Sequence, residues 1–145
     1  MRCRGVIGWT AGVLAAALVG CDRGPELAEV EGTVTLNGKP LEKVRVEFHP
    51  AGEGPRATAV TDANGKYVLL SDDRGRPGAV VGPNKVVLRD VSMYPDRPLT
   101  RDELNTDFGH GKPIRIKLEY GDPGKTPLTE TVNSGAKNTI DIRLK

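Results

Sequence analysis

The amino-acid sequence predicts an all-β protein, a Greek-key β-sandwich of about seven or eight short strands. Three observations predict this fold class. Apolar and polar residues alternate with a period of two in several short segments, which is the pattern of half-buried strands. Gly and Pro are frequent, at 18 and 11 of 145 residues, whereas aromatic residues make up only 4%. After the first apolar run, no segment shows a long helical period, so strands joined by turns are favoured.

Residues 1–20 are set apart from the domain. Arg2 and Arg4 precede an apolar run of about 14 residues, 6–19, which carries no charge. Such a run is shorter than the roughly 20 residues that span a bilayer, and it is typical of a secretory signal peptide. A buried N-terminal helix of the domain is the alternative. We predict a signal peptide over residues 1–20.

The run ends in Leu18-Val19-Gly20-Cys21, which resembles the lipobox of bacterial lipoproteins. The resemblance implies cleavage between Gly20 and Cys21 and transfer of a diacylglycerol to the Cys21 thiol. The small Gly20 lets a peptidase reach the bond, and the apolar run holds the thiol at the membrane surface. Two or more acyl chains anchor a protein stably, whereas one chain binds only marginally. The lipid on Cys21 therefore makes the membrane a predicted partner.

The cysteine count and the charge agree with this interpretation. Cys3 would leave with the signal, so no cysteine would remain for a disulfide, a nucleophile or a thiolate metal site. A Cys3–Cys21 bridge is the alternative if the signal is retained. The chain carries 21 basic and 19 acidic side chains, and loss of Arg2 and Arg4 leaves 19 of each. A neutral mature chain argues against a nucleic-acid partner.

Residues 21–29 are predicted to be a lipidated tether, and residues 30–145 the folded domain. Residues 22–29 reach roughly 25–30 Å when fully extended, so the domain is expected close to the membrane. Asp22 follows the predicted lipidated cysteine and resembles a signal for inner-membrane retention in some enteric bacteria. The predicted localisation is the cell envelope, with inner and outer membrane as open alternatives.

Turn signals divide the domain into short strands. Asn37-Gly38 is a strong hairpin signal, because both residues tolerate positive φ. Asp62 is expected to cap the turn at Asn64-Gly65 by accepting backbone N–H groups. Residues 71–83 are predicted to be a loop, and residues 90–113 an irregular insertion with one helical turn. The alternation predicts strands at 30–36, 44–49, 56–61, 66–70, 84–89, 114–120, 128–132 and 139–144.

The segment VEGTVTLNGKPLEKVRVEFHP, followed by TDANGKYVL, resembles the carboxypeptidase regulatory-like domain, a transthyretin-like β-sandwich. The residues that carry this resemblance are Gly32, Val34, Gly38, Pro40, Leu41, Val44, Val46, Phe48, Thr61, Asp62, Gly65 and Tyr67. The tail, with Tyr120-Gly121-Asp122-Pro123 and residues 138–144, is similar to small lipoproteins of planctomycete-like bacteria. The resemblance implies a Greek-key sandwich that serves as a binding or structural module.

Glu130 departs from the alternation, since it shares a face with Leu128 and Val132 where an apolar residue is expected. At a sheet edge, Glu130 would reach solvent or block pairing with another strand. The other interpretation is a carboxylate aimed at a partner, in which case Glu130→Val would abolish binding. Glu130 is therefore the candidate partner-contact residue.

The sequence predicts no metal site and no cofactor. Asp62, Asn64, Asp72 and Asp73 lack the remaining ligands of an EF-hand, including the distant glutamate, so their expected role is turn formation. His49 and His110 lie far apart, without zinc-site spacing, and are expected to face solvent.

The sequence also predicts no catalytic site. Its three serines outside the signal, at positions 71, 92 and 134, fall in predicted loops, without a nucleophile elbow. Transthyretin-like folds include a hydroxyisourate hydrolase, but its C-terminal Tyr-Arg-Gly-Ser signature is absent from the final residues, DIRLK. We expect a non-enzymatic binding or scaffolding module with an envelope protein or glycan partner. The alternatives are a structural envelope protein without a specific ligand and a degenerate transthyretin-like hydrolase.

Overall fold

The computed structural model describes residues 24–94, 100–102 and 113–145, and within these ranges the protein is all-β, as predicted. One 3₁₀ turn, Leu118–Gly121, interrupts the strands. The strands in chain order are β1 Leu27–Ala28, β2 Val30–Leu36, β3 Lys39–Pro40, β4 Val44–Pro50, β5 Ala57–Val60, β6 Lys66–Val68, β7 Leu70–Ser71, β8 Ala79–Val80, β9 Gly82–Asp90, β10 Thr129–Val132, β11 Asn138–Thr139 and β12 Ile142–Leu144.

Five strands form one antiparallel sheet in the order β10-β9-β4-β5-β7. The central strand β4 pairs with β9 along its whole length, from Val44 opposite Asp90 to Pro50 opposite Asn84. On its other side, β4 pairs with the shorter β5. This sheet has β10 at one edge and the two-residue β7 at the other.

A second sheet is built around β2. This strand pairs antiparallel with β3 and β6 and parallel with β11 and β12. The registers place β6 and β11 on opposite sides of the first half of β2, and β3 and β12 on opposite sides of its second half. The strands nearest the C-terminus thus complete the sheet that begins near the start of the domain.

The two sheets contribute to one apolar core, which is consistent with a β-sandwich. Alternate residues of each strand point into it, as the period of two requires. Full burial of an aliphatic or aromatic side chain stabilises the fold by roughly 1.5–3 kcal/mol. The core includes Val30 and Val34 of β2, Val44, Val46 and Phe48 of β4, Val86 and Leu88 of β9, and Ile142 and Leu144 of β12.

Two predicted strands are each divided in the structure. Residues 66–70 form β6 in the sheet around β2 and then β7 in the five-stranded sheet, and the fully buried Leu69 lies at the crossing. Residues 139–144 are interrupted at Ile140 and Asp141. The apolar alternation persists through both breaks, and therefore it does not reveal the change of strand.

The strand predicted at residues 114–120 is wrong. Residues 113–117 form no strand, and Leu118–Gly121 is a 3₁₀ turn. Ile114 and Leu118 are 68% and 80% exposed, and only Ile116 of the three aliphatics is buried. The physical reason lies with Arg115, which turns toward the end of β9 and pairs with Asp90. Of the apolar face that the pattern predicted, only Ile116 therefore reaches the core.

The folded part begins earlier than predicted, and the loop at residues 71–83 is partly a strand. Leu27 and Ala28 pair with Val80 and Ala79, so β1 lies inside the segment assigned to the tether. Gly78 makes this pairing possible, because a Cβ there would lie 2.1 Å from the carbonyl oxygen of Ala28. The signal peptide, Cys21 and most of the 90–113 insertion lie outside the described residues.

Candidate binding face

The outward side of the five-stranded sheet carries a group of charged residues that we call the arginine face. The strand registers bring its members together from β4, β5, β7 and β9, with Arg56 and Asp72 next to β5 and β7. An open depression of about 440 Å³ is lined by Arg45, Glu47, Arg56, Thr58, Ala59, Val60, Asp72 and Arg89. The arginine face comprises the charged residues Arg45, Glu47, Arg56, Asp72, Lys85 and Arg89, together with His49, Thr58, Val60 and Leu70.

The Glu47 carboxylate lies at the floor of this face and is only 4% exposed. Its Oε2 atom is 3.0 Å from His49 Nε2 and 3.7 Å from Arg56 Nη1, and its Oε1 atom is 3.4 Å from Arg89 Nε. A buried carboxylate is costly unless cations and hydrogen bonds compensate it. Three basic side chains therefore share this one carboxylate.

Arg56 is tied to the face by a second carboxylate. Its Nε donates to Asp72 Oδ2, and the Thr58 hydroxyl donates to Asp72 Oδ1 at 3.0 Å. The hydrogen bond from Arg56 holds the pKa of Asp72 below its ordinary value, with a further contribution from Thr58. The same hydrogen bond raises the pKa of Arg56, together with the charges of Asp72 and Glu47. This side of the arginine face is thus electrically balanced.

Arg45 differs from the other arginines of the face. It lies directly opposite Arg89 on β9 and Val60 on β5. Within the described residues, no carboxylate lies at ion-pair distance from Arg45, and the ion pair of Arg89 is with the shared Glu47. Like charges directly opposite each other on neighbouring strands are destabilising. The Arg45–Arg89 pair therefore leaves uncompensated positive charge on this side of the face.

Glu130 lies on the edge strand β10, in register with Asn84 of β9. It is half-buried and shares a face with the buried Val132, as the alternation predicted. Its negative charge is one of the influences that raise the pKa of Tyr67 in the interior, after the larger effect of burial. The structure therefore places Glu130 at an open edge of the sandwich and away from the arginine face.

The carboxylates considered as possible cation ligands, those of Asp62, Asp72 and Asp73, make hydrogen bonds and ion pairs within the protein. Asp62 Oδ1 accepts the backbone N–H groups of Asn64 and Lys66 at 2.8 and 2.9 Å, which confirms the predicted turn. Asp72 pairs with Arg56, and Asp73 pairs with Arg76. In the described part of the chain, no group of three or more metal-ligating side chains comes together.

His49 and the serines are not brought together either. Among the described contacts, the His49 ring meets Glu47 and no serine hydroxyl. The Ser71 hydroxyl accepts from the backbone of Asp73 at 3.3 Å, and the Ser134 hydroxyl donates to Glu26. His49 is partly covered, with 26% of its side chain exposed, rather than freely solvated as expected. His110 lies outside the described residues.

Single-sequence reasoning overlooked the arginine face. The segment RVEFH correctly indicates that Arg45, Glu47 and His49 point away from the core. It cannot indicate that Glu47 is buried, because Arg56 and Arg89, which reach its carboxylate, come from other parts of the chain. The available signal was the number of arginines at outward positions of three predicted strands.

Comparisons with known proteins supply no related site against which these assignments could be checked. No protein-family model matches the chain, and no curated protein or solved structure matches it. In the described ranges, no helix is both long and apolar enough to cross a membrane.

Proposed function

We propose that this chain is a lipid-anchored protein of the cell envelope whose folded part is a non-catalytic binding module. The lipobox at Leu18-Val19-Gly20-Cys21 supports the anchor, with cleavage between Gly20 and Cys21 and lipid on Cys21. The family resemblance supports a carboxypeptidase regulatory-like sandwich with Greek-key connections. The all-β architecture is compatible with that assignment.

The observation that carries the binding role is the arginine face. A sheet surface that only needs solubility has no use for two arginines directly opposite each other, of which only Arg89 has an ion-pair partner among the described residues, because the pair costs stability. Arg is also the charged residue most enriched at protein interfaces. A partner that supplies negative charge removes this cost, and the short predicted tether keeps the face near the membrane.

Two other functions remain as alternatives. A purely structural envelope protein would need no specific ligand on the arginine face. A degenerate transthyretin-like hydrolase would need a reacting group beside a base, and within the described residues His49 contacts no serine hydroxyl. The binding role is favoured over both by Arg45, which has no carboxylate at ion-pair distance in the part of the chain that the structure describes.

The anchor is tested by the intact mass of the protein purified from membranes of its own host. The expected mass begins at Cys21 and includes a diacylglycerol, and Cys21→Ser abolishes lipidation. An unlipidated wild-type protein, cut elsewhere or uncut, would contradict the anchor without touching the binding face.

The binding role is tested by photo-cross-linking in the same membranes. A cross-linking residue at Val60 is expected to capture a discrete envelope component, whereas the same residue at Thr35 on the other sheet is not. Glu130→Val tests the edge as a second contact, since loss of capture would assign Glu130 to the interface. Equal capture from both sheets would argue for a structural protein without a specific ligand.

A further inference from the structure

The arginine face indicates what kind of partner it fits, an inference that rests on the proposed binding role. Its permanently charged members are four basic residues and two carboxylates. Asp72 is used by Arg56, and Glu47 is shared by Arg56 and Arg89. The positive charges that remain are those of Arg45 and Lys85, with Arg45 opposite Arg89 near one end of the β4–β9 pairing and Lys85 opposite His49 near the other. Charge complementarity therefore requires an acidic partner.

The spacing of Arg45 and Arg89 suits a carboxylate. Side chains of directly opposite residues on neighbouring strands start about 5 Å apart at their Cβ atoms. Two guanidinium groups at this separation can both donate to one carboxylate, and such charge-assisted bonds are the strong ones. Glu47 anchors Arg89 from below, which leaves the outer edge of the pair free to bind a carboxylate from solvent.

The neighbours of this pair favour a peptide over a sugar polymer. Val60, next to Arg45, is 51% exposed, and Leu70, across β5 from Glu47, is 47% exposed. The residues of the arginine face include no Phe, Tyr or Trp, which are the rings on which sugars commonly stack. Aliphatic side chains beside arginines match a peptide that carries both acidic and aliphatic residues.

We propose that the arginine face binds an acidic protein segment. One carboxylate of the segment lies between Arg45 and Arg89, and an aliphatic side chain packs against Val60 and Leu70. The segment crosses the strands of the sheet, because the basic positions lie on β9 and β4 and the aliphatic positions on β5 and β7. Binding removes the like-charge repulsion between the two arginines.

The test uses the full chain in detergent and a fluorescent peptide that alternates glutamate and leucine. Arg45→Ala and Arg89→Ala are each expected to weaken binding about tenfold, the equivalent of one lost charge-assisted interaction. Arg45→Lys keeps the positive charge but lacks the planar guanidinium group. Its affinity for the peptide is expected to lie between those of the wild type and Arg45→Ala. Arg143→Ala, an exposed arginine of the other sheet, is the matched control and leaves affinity unchanged.

The thermal stability of Arg45→Ala distinguishes a binding role of Arg45 from a structural one. Arg45→Ala removes a repulsive neighbour of Arg89, so its thermal midpoint is expected to equal or exceed that of the wild type. A lower midpoint would show that Arg45 stabilises the fold, which contradicts the proposal.

The same titration is repeated with a glutamine version of the peptide and with polygalacturonate. Tight binding of the glutamine peptide would overturn the carboxylate contact. Arginine-dependent binding of polygalacturonate in place of the peptide would make the partner a polysaccharide. If neither probe binds while Val60 still cross-links a component in membranes, the binding role stands and the acidic-segment inference is wrong.

Discussion

Tyr67 joins the two halves of the sheet around β2 through the interior. Its hydroxyl donates to the carbonyl oxygen of Ile140 at 2.6 Å, and the residue is only 2% exposed. Gly32 is opposite Tyr67 in the register and gives the ring its space. A Cβ at Gly32 would lie 1.8 Å from the Ile140 oxygen and 3.1 Å from the tyrosine ring. The hydrogen bond from Tyr67 to Ile140 therefore depends on glycine at position 32.

Burial raises the pKa of Tyr67 above its ordinary value near 10, and the charges of Glu130 and Asp141 raise it further. The folded state therefore holds this proton more tightly than the unfolded state. We expect stability from this group to be complete below about pH 10 and to fall above it by about 1.4 kcal/mol per pH unit. Urea unfolding between pH 8 and 11 measures this slope.

The matched variant is Tyr67→Phe. It loses the hydrogen bond to Ile140 and is expected to be about 1 kcal/mol less stable at neutral pH. It also lacks the phenol with the raised pKa, so its free energy of unfolding falls less steeply above pH 10 than that of the wild type. If the free energy of unfolding fell equally steeply above pH 10 in both proteins, the assignment to Tyr67 would be wrong.

At the scale of elements, an ion pair helps to hold the irregular segment after the insertion against the five-stranded sheet. Arg115 Nε donates to Asp90 Oδ2 at 2.6 Å, its Nη2 donates to Asp90 Oδ1, and the same nitrogen reaches the Glu42 carbonyl at 3.2 Å. The backbone N–H of Ser92 also donates to Asp90 at 2.9 Å. A bidentate pair with these extra bonds is stronger than an exposed salt bridge.

This pair predicts an acid sensitivity. Burial by itself would raise the pKa of Asp90, but hydrogen bonds from Arg115 and Ser92, with the charge of Arg115, lower it to about 2. The unfolded chain takes up this proton near pH 4, so the contribution is present above pH 4 and is lost as the pH falls toward 2. It amounts to about 2 kcal/mol, measurable by urea unfolding across that range.

Two variants check the assignment. Asp90→Asn and Arg115→Met are each expected to lower stability at pH 7 and to flatten the loss between pH 4 and pH 2. If the free energy of unfolding of Asp90→Asn fell as steeply between pH 4 and pH 2 as that of the wild type, other carboxylates would be responsible for the acid sensitivity.

For the whole molecule, the decisive feature is that the chain closes on its first long strand. β11 and β12 pair in parallel with β2, and Ile142 and Leu144 are buried there. The Asn138 side chain is 7% exposed and donates to the carbonyl oxygens of Asn133 and Ala136, which shapes the turn before β11.

Truncation tests this closure. A chain that ends at Lys137 loses both strands, and the two buried aliphatics alone contribute roughly 3–6 kcal/mol, comparable to the whole stability of a small domain. We expect no cooperative thermal transition by circular dichroism. Removal of only the exposed Lys145 is the control and leaves the transition intact. A cooperative melt of the shorter chain would show that the domain folds without the two strands that complete the sheet around β2.

The period-two pattern by itself determined the all-β class and the inward faces of β2, β4 and β9, because side-chain alternation is a local property of a strand. Turn chemistry at Asn37-Gly38 and Asp62 was equally local, and both turns are present.

Only the tertiary structure decided which strands are neighbours. It divided residues 66–70 between two sheets, turned Arg115 inward to Asp90, and recruited Leu27 and Ala28 from the predicted tether. It also brought the arginines to Glu47. Each of these outcomes depends on groups from distant parts of the chain, and no local pattern records which distant residue supplies the hydrogen bond or the opposite charge.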